Sequence, residues 1–190
     1  MKQILVDFYE LEDVKETAIE RNRDINLDDW AYDDVIEFWR AKLDEIGFCN
    51  AKIYFTGFWS QGDGACFDND TCHFDVEKLL NNLDFSEEEK ERIYNLKDNF
   101  DISIYCKNNH YYHEKTRCIE LEDFFIENEN DKELLSNFEK QLEDLRLKLC
   151  CEIYEALERH YEYLTSDDAV EETLIANEYL FNKDGSIARV

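Results

Sequence analysis

Three of the five glycines in this chain of 190 residues fall between positions 57 and 64, and the chain has no proline. Few residues here can enter left-handed backbone without a steric penalty, so tight reversals are confined to a handful of places. Apolar and aromatic residues lead into the cluster (Ile53, Phe55, Phe58, Trp59) and resume after it (Ala65, Cys66, Phe67). The pattern predicts a hairpin with strands over 48–59 and 65–74, reversing at Gln61, Gly62, Asp63 and Gly64. The plainest role for such a turn is to set register. Loops on rigid strands also carry binding residues, so Ser60, Gln61, Gly62 and Asp63 form a candidate ligand loop.

A second hairpin follows. Residues 100–107 alternate apolar and polar, Asn108 and Asn109 tolerate turn geometry, and residues 110–121 return as the partner strand. This places His110, His113 and Glu114 beside the turn. Two histidines three apart on a regular strand face opposite sides, so they share no metal without a bulge. His113 with Glu114, or with Asp63 of the first hairpin, is a candidate acid–base or ligand-binding pair. The backbone N–H groups of the glycine loop suit an anion.

The rest of the chain reads mainly as helix. Residues 2–9 are β-branched and aromatic enough for a first strand, and 11–22 carry apolar residues at helical spacing. A helix over 30–46 ends at Gly47, where a left-handed cap belongs. Shorter helices cover 76–83 and 86–96, the second opened by Ser86 and Glu89 at capping-box spacing. From 131 to 164, Leu135, Phe138, Leu142, Leu145 and Leu149 alternate in steps of three and four, and Ile153, Leu157, Tyr161 and Leu164 extend the face. That predicts an amphipathic helix of about 34 residues, roughly 50 Å long. Residues 165–168 break it and cap a helix to 176; an edge strand at 178–181 and a turn at 182–185 follow. The fold class is therefore α+β: an antiparallel sheet built from two β-hairpins, packed helices and one long C-terminal helix. Residues 1–190 form a single domain, with 166–190 a candidate C-terminal extension.

Charge narrows the partners. The chain has 47 acidic and 21 basic residues, a net charge of −26. Direct binding to nucleic acid or to an anionic membrane needs a basic footprint and is disfavoured. Self-repulsion at this charge costs stability, and a basic macromolecular partner would reward it. A helix lined with carboxylates resembles a duplex, which carries about one negative charge per 1.7 Å of axis. Candidate partner-binding residues are Asp28, Asp29, Asp33, Asp34 and Glu37, and Asp167, Asp168, Glu171, Glu172 and Glu178. The alternative for each is a solvated helix face.

Seven cysteines without paired CxxC spacing read as reduced thiols in a cytoplasm, and no run approaches a membrane span. Cys66, Cys72 and His73 lack a standard zinc spacing, and Asp63, Asp68 and Asp70 lack the order of a calcium loop. No metal ligands, cofactor or catalytic residues are assigned, and an enzymatic role is disfavoured.

The strings GFWSQGDGACF (57–67) and YEYLTSDDAVEETLIANEYLFNKDG (161–185) resemble a group of small acidic proteins of tailed bacteriophages, some loosely labelled antitoxin-like. The resemblance implies a phage-encoded accessory role in the host cytoplasm and no mechanism. With the charge, it points to inhibition of a host defence or nucleic-acid-processing factor, such as a nuclease or CRISPR effector, through a DNA-mimicking surface. Two other readings stand beside it. One is a nucleotide- or small-molecule-binding protein or enzyme with a pocket at the two hairpin tips. The other is an antitoxin-like module that recognises a protein by shape; a second copy of the chain is a further candidate partner.

Overall fold

The structure, a computed structural model, describes residues 5–68, 74–107 and 110–188, without the side chains of Glu12 and Asp13. The expected turn at Asn108 and Asn109, and Cys72 and His73, lie outside these residues. The fold is α+β and divides into two compact units, residues 35–156 and residues 1–34 with 157–190.

In the first unit, β1 (Lys52–Thr56) pairs antiparallel with β2 (Gly64–Asp68), closing at Thr56 opposite Gly64. β3 (Phe100–Cys106) pairs antiparallel with β4 (Arg117–Asp123), closing at Cys106 opposite Arg117. The two hairpins form separate two-stranded ladders rather than one continuous sheet. The outer edge of β4 bonds to a helix instead of a strand. In α5 (Glu129–Leu164), Glu143 accepts the N–H of Ile119 at 2.9 Å and Glu139 accepts that of Leu121 at 3.0 Å. Carboxylates one helical turn apart thus meet alternate N–H groups of the strand and blunt its edge.

The second hairpin is looser than predicted. The partner strand starts at Arg117, not at residue 110. A 3-10 turn over Glu114–Thr116 precedes it, with His113 as its cap. The reason is non-local: the Arg146 guanidinium on α5 binds the carbonyls of Glu114 and Arg117 and draws this stretch out of the ladder. The first hairpin is also wider than a tight turn, since residues 57–63 lie between its paired ends.

Local signals place the surrounding helices. α2 (Asp33–Ile46) ends at Gly47, φ +117°, where the N–H groups of Gly47 and Phe48 both reach the Leu43 carbonyl, at 3.0 and 2.9 Å. α3 (Val76–Asn81) is capped by Asp75, and α4 (Glu87–Asn95) carries both halves of the Ser86–Glu89 capping box. α5 buries Leu135, Phe138, Leu142, Leu149 and Ile153, and Phe48, Phe67, Leu79, Ile93 and Phe100 complete the core. Each such side chain contributes about 1.5–3 kcal/mol on burial. Midway along the stripe the fully buried residue is Arg146, while Leu145 is half-exposed.

In the other unit, residues 2–4 of the expected first strand lie outside the described residues, and the described part pairs through a bridge between Val6 and Phe181. A 3-10 helix over Phe8–Val14 runs into α1 (Lys15–Arg21), which turns Phe8, Leu11, Ala18 and Ile19 onto one side. They meet Val170 and Leu174 of α6 (Asp167–Ala176) and Phe181. Residues 166–190 thereby supply part of this core. Phe181 also bridges Ile187 across the 182–185 turn, where Gly185 takes φ +80°. No helix among the described residues is long and apolar enough to cross a membrane.

Candidate functional site

The two hairpin ends do meet, but by packing. A Cβ added at Gly64 would stand 2.5 Å from the His113 Cβ, and one at Gly62 would stand 3.1 Å from the Tyr111 ring. Gly64 is needed because the 110–114 segment lies directly on the loop, and Gly62 because its φ is +94°. The loop satisfies its own polar groups: Asp63 Oδ2 accepts the Ser60 N–H at 2.7 Å, and the Asp63 N–H donates back to the Ser60 carbonyl at 3.1 Å. Gln61 is exposed, and His110 stands edge-on to Tyr111, centroids 4.6 Å apart. His113 Nδ1 accepts the Lys115 N–H at 3.2 Å and lies 3.9 Å from the Glu114 carboxylate, so that nitrogen is held in a cap. His113 and Asp63 thus have local structural bonds where the sequence suggested an acid–base pair. Among the described residues no cluster of three His, Cys, Asp or Glu side chains is placed to hold a metal ion.

Beneath this junction lies a buried ionic centre that the sequence reading missed. Arg146 donates from Nε and Nη2 to the two oxygens of Glu143, both at 2.8 Å. Nη2 also reaches the carbonyls of Glu114 and Arg117, at 2.9 and 2.8 Å. Burial opposes the charge on both partners. Their mutual hydrogen bonds outweigh it, and the Glu143 carboxyl ends below its usual range and the Arg146 guanidinium above its own. Arg117, also buried, pairs with Asp68 at 3.2 Å. Burial raises the Cys66 thiol and pushes Cys150 up to about 12, so both stay protonated and neither is a poised nucleophile. The network ties α5 to the 114–117 stretch and through it seats His113 on Gly64. The available signal was an arginine inside an apolar stripe with a glutamate three residues before it.

The acidic candidates fare differently. Asp28, Asp29, Asp33 and Asp34 belong to the same unit as Asp167, Asp168, Glu171, Glu172 and Glu178; Glu37 belongs to the other. Glu171 is paired with Lys15 at 2.5 Å and Asp167 with Arg23. Asp28, Asp29, Asp33, Asp34, Glu37, Asp168, Glu172 and Glu178 stay exposed. Asp28 and Glu172 line one open groove of about 550 Å³, together with Trp30 and Tyr163. Its walls are tied by Asn26, which donates to the Leu164 carbonyl at 2.9 Å and accepts from the Thr173 hydroxyl at 2.7 Å. His160 adds a bond to the Ala31 carbonyl at 2.8 Å.

Residues 30–167 match the family described as Domain of unknown function (DUF8835). Neither the curated proteins nor the solved structures yield a match.

Proposed function

We propose that this chain, which belongs to the DUF8835 family, works as a binding protein: it occupies the basic surface of a nucleic-acid-processing protein and blocks it. The observation that carries this reading is the gathering of exposed carboxylates from residues 28–34 and 168–178 in one compact unit. Carboxylates drawn from distant parts of the chain raise the local negative potential beyond that of a single helix face, and such a field steers a basic partner. The resemblance to tailed-phage proteins supports a host defence factor, a nuclease or CRISPR effector, as the target, met in the host cytoplasm. The pocket reading draws less support, because Gly62 and Gly64 are covered by Tyr111 and His113.

The test is displacement of a labelled DNA duplex from RNA-guided and restriction nucleases by the full chain. Displacement that weakens steeply between about 50 and 200 mM salt is the expected result. Absence of displacement across the panel, or displacement indifferent to salt, would overturn the reading.

A further inference from the structure

We propose that the groove between Trp30 and Tyr163 captures an arginine side chain presented by the basic partner protein; this rests on the acidic-face reading above. Trp30 is 74% exposed and Tyr163 62% exposed, an unusual display of ring surface in one place. The display is built rather than loose. Asp28 Oδ1 accepts the Trp30 N–H at 2.9 Å, His160 holds the next carbonyl, and the Tyr32 and Tyr163 rings flank that histidine at 6.0 and 6.4 Å.

The charged side chains that line the groove have one sign. Its charged lining side chains are Asp28 and Glu172, with no lysine or arginine among the lining residues. Leu164 and Ala176, the last residues of α5 and α6, also line it, and neither helix has a basic residue in its last turn. The α5 end is met by Arg23 at the Thr165 carbonyl, so it is the negative end of the α6 dipole that adds to the two carboxylates. An aromatic face beside such a field selects a cation. A guanidinium suits it better than an ammonium, because its plane stacks on an indole while its fork donates to carboxylate and carbonyl oxygens. An anionic ligand is repelled, so the occupant is a basic protein segment.

The test is fluorescence anisotropy of a labelled arginine-rich peptide against the full chain near physiological salt, with a lysine-rich peptide and free arginine as competitors. The expected result is binding weakened about tenfold by Trp30→Ala, retained in part by Trp30→Phe. Asp28→Asn with Glu172→Gln should weaken it comparably, since asparagine keeps the acceptor for the Trp30 N–H. The control Glu88→Gln with Glu91→Gln removes the same charge from α4 and should leave affinity unchanged. The lysine-rich peptide should bind several-fold more weakly. Thermal midpoints establish that the exposed substitutions leave the fold intact. If the peptide binds but Trp30→Ala matches the control, the groove is overturned and the acidic-face reading stands. If free arginine competes as well as the peptide, the occupant is a small cation and the proposal falls. If neither peptide binds, both readings fall.

Discussion

Glu143 accepts two kinds of donor at once: the Ile119 N–H of the β4 edge at 2.9 Å and, from its own helix, the guanidinium of fully buried Arg146 at 2.8 Å. Removing it strands both. Glu143→Ala leaves a buried cation without its counter-charge, which costs about 3–5 kcal/mol. Glu139→Ala loses only the bond to Leu121 and should cost about 1–3 kcal/mol. Urea unfolding of the two variants checks the order; equal losses would show that the Arg146 pair adds nothing to the strand contact.

The same carboxylate sets a pH dependence. The depressed Glu143 pKa means the folded state holds the ionised form more tightly than the unfolded chain, where it titrates near about 4.3. Its contribution is complete above that value and disappears as pH falls through the folded pKa. Glu143→Gln should therefore show a smaller loss of stability on acidification. The comparison must be between variants, because protonating the other carboxylates relieves self-repulsion and acts in the opposite direction. Parallel stability curves for the two proteins between about pH 5 and pH 3 would refute the assignment.

Gly64 and Gly62 separate crowding from backbone strain. At Gly64 an added methyl meets the Cβ and Cα of His113, at 2.5 and 2.8 Å, neither of which is the free end of a side chain. Overpacking of about 1–3 kcal/mol or more is expected for Gly64→Ala. At Gly62 the neighbour is the Tyr111 ring, and the cost comes from φ +94°, about 1–2 kcal/mol. Gly64→Ala should also loosen the 110–116 segment in hydrogen exchange, while Gly62→Ala should leave it protected. The reverse pattern would mean that this contact does not hold the segment.

What the sequence exposes here follows the range of the interaction. The Gly47 cap, the Ser86–Glu89 box and the position of α5 are set within a few residues, and each is readable as a spacing. Arg146 is not, because choosing Leu145 for the stripe turns the helix by only about 100°, within the tolerance of an apolar pattern. The late start of β4 depends on a bond between residues 114 and 146, and no local propensity encodes it. Phe8 sits in a stretch with strand-like composition, yet it must face Leu174 and Phe181, and that partner wins over propensity. The carboxylates were identifiable as candidates, but nothing near residue 28 says that it shares a groove with residue 172.

Thiol labelling offers a probe of the buried centre. Cys150 at about 12 leaves about one thiolate in ten thousand at pH 8, and Cys66 is likewise raised by burial. Cys151 is exposed, though partial burial and the nearby Glu114 and Glu155 also raise it. In native protein Cys151 should react with an alkylating reagent before Cys66 and Cys150, more slowly than a free thiol, and all seven cysteines should react in denaturant. Early labelling of Cys150 would show that the core around Arg146 opens readily.

Arg23 is a cation already committed within the acidic unit. Its guanidinium donates to the Thr165 carbonyl just past α5 at 2.9 Å, to Glu20 at 2.6 Å and to Asp167. The pairs with Glu20 and Asp167 are largely solvent-screened and contribute little. The bond to Thr165 satisfies an orphan carbonyl at the helix end and contributes about 1 kcal/mol. Arg23→Ala should thus destabilise by about that amount, with faster exchange concentrated at residues 165–170. Arg23→Lys should recover only part of it, since one ammonium lacks the fork that spans a carbonyl and two carboxylates. Freeing Asp167 and Glu20 also makes this face more negative, so a basic peptide should bind Arg23→Ala at least as tightly as it binds the parent chain. A loss of binding on this substitution would mean that Arg23 organises the face rather than neutralising part of it.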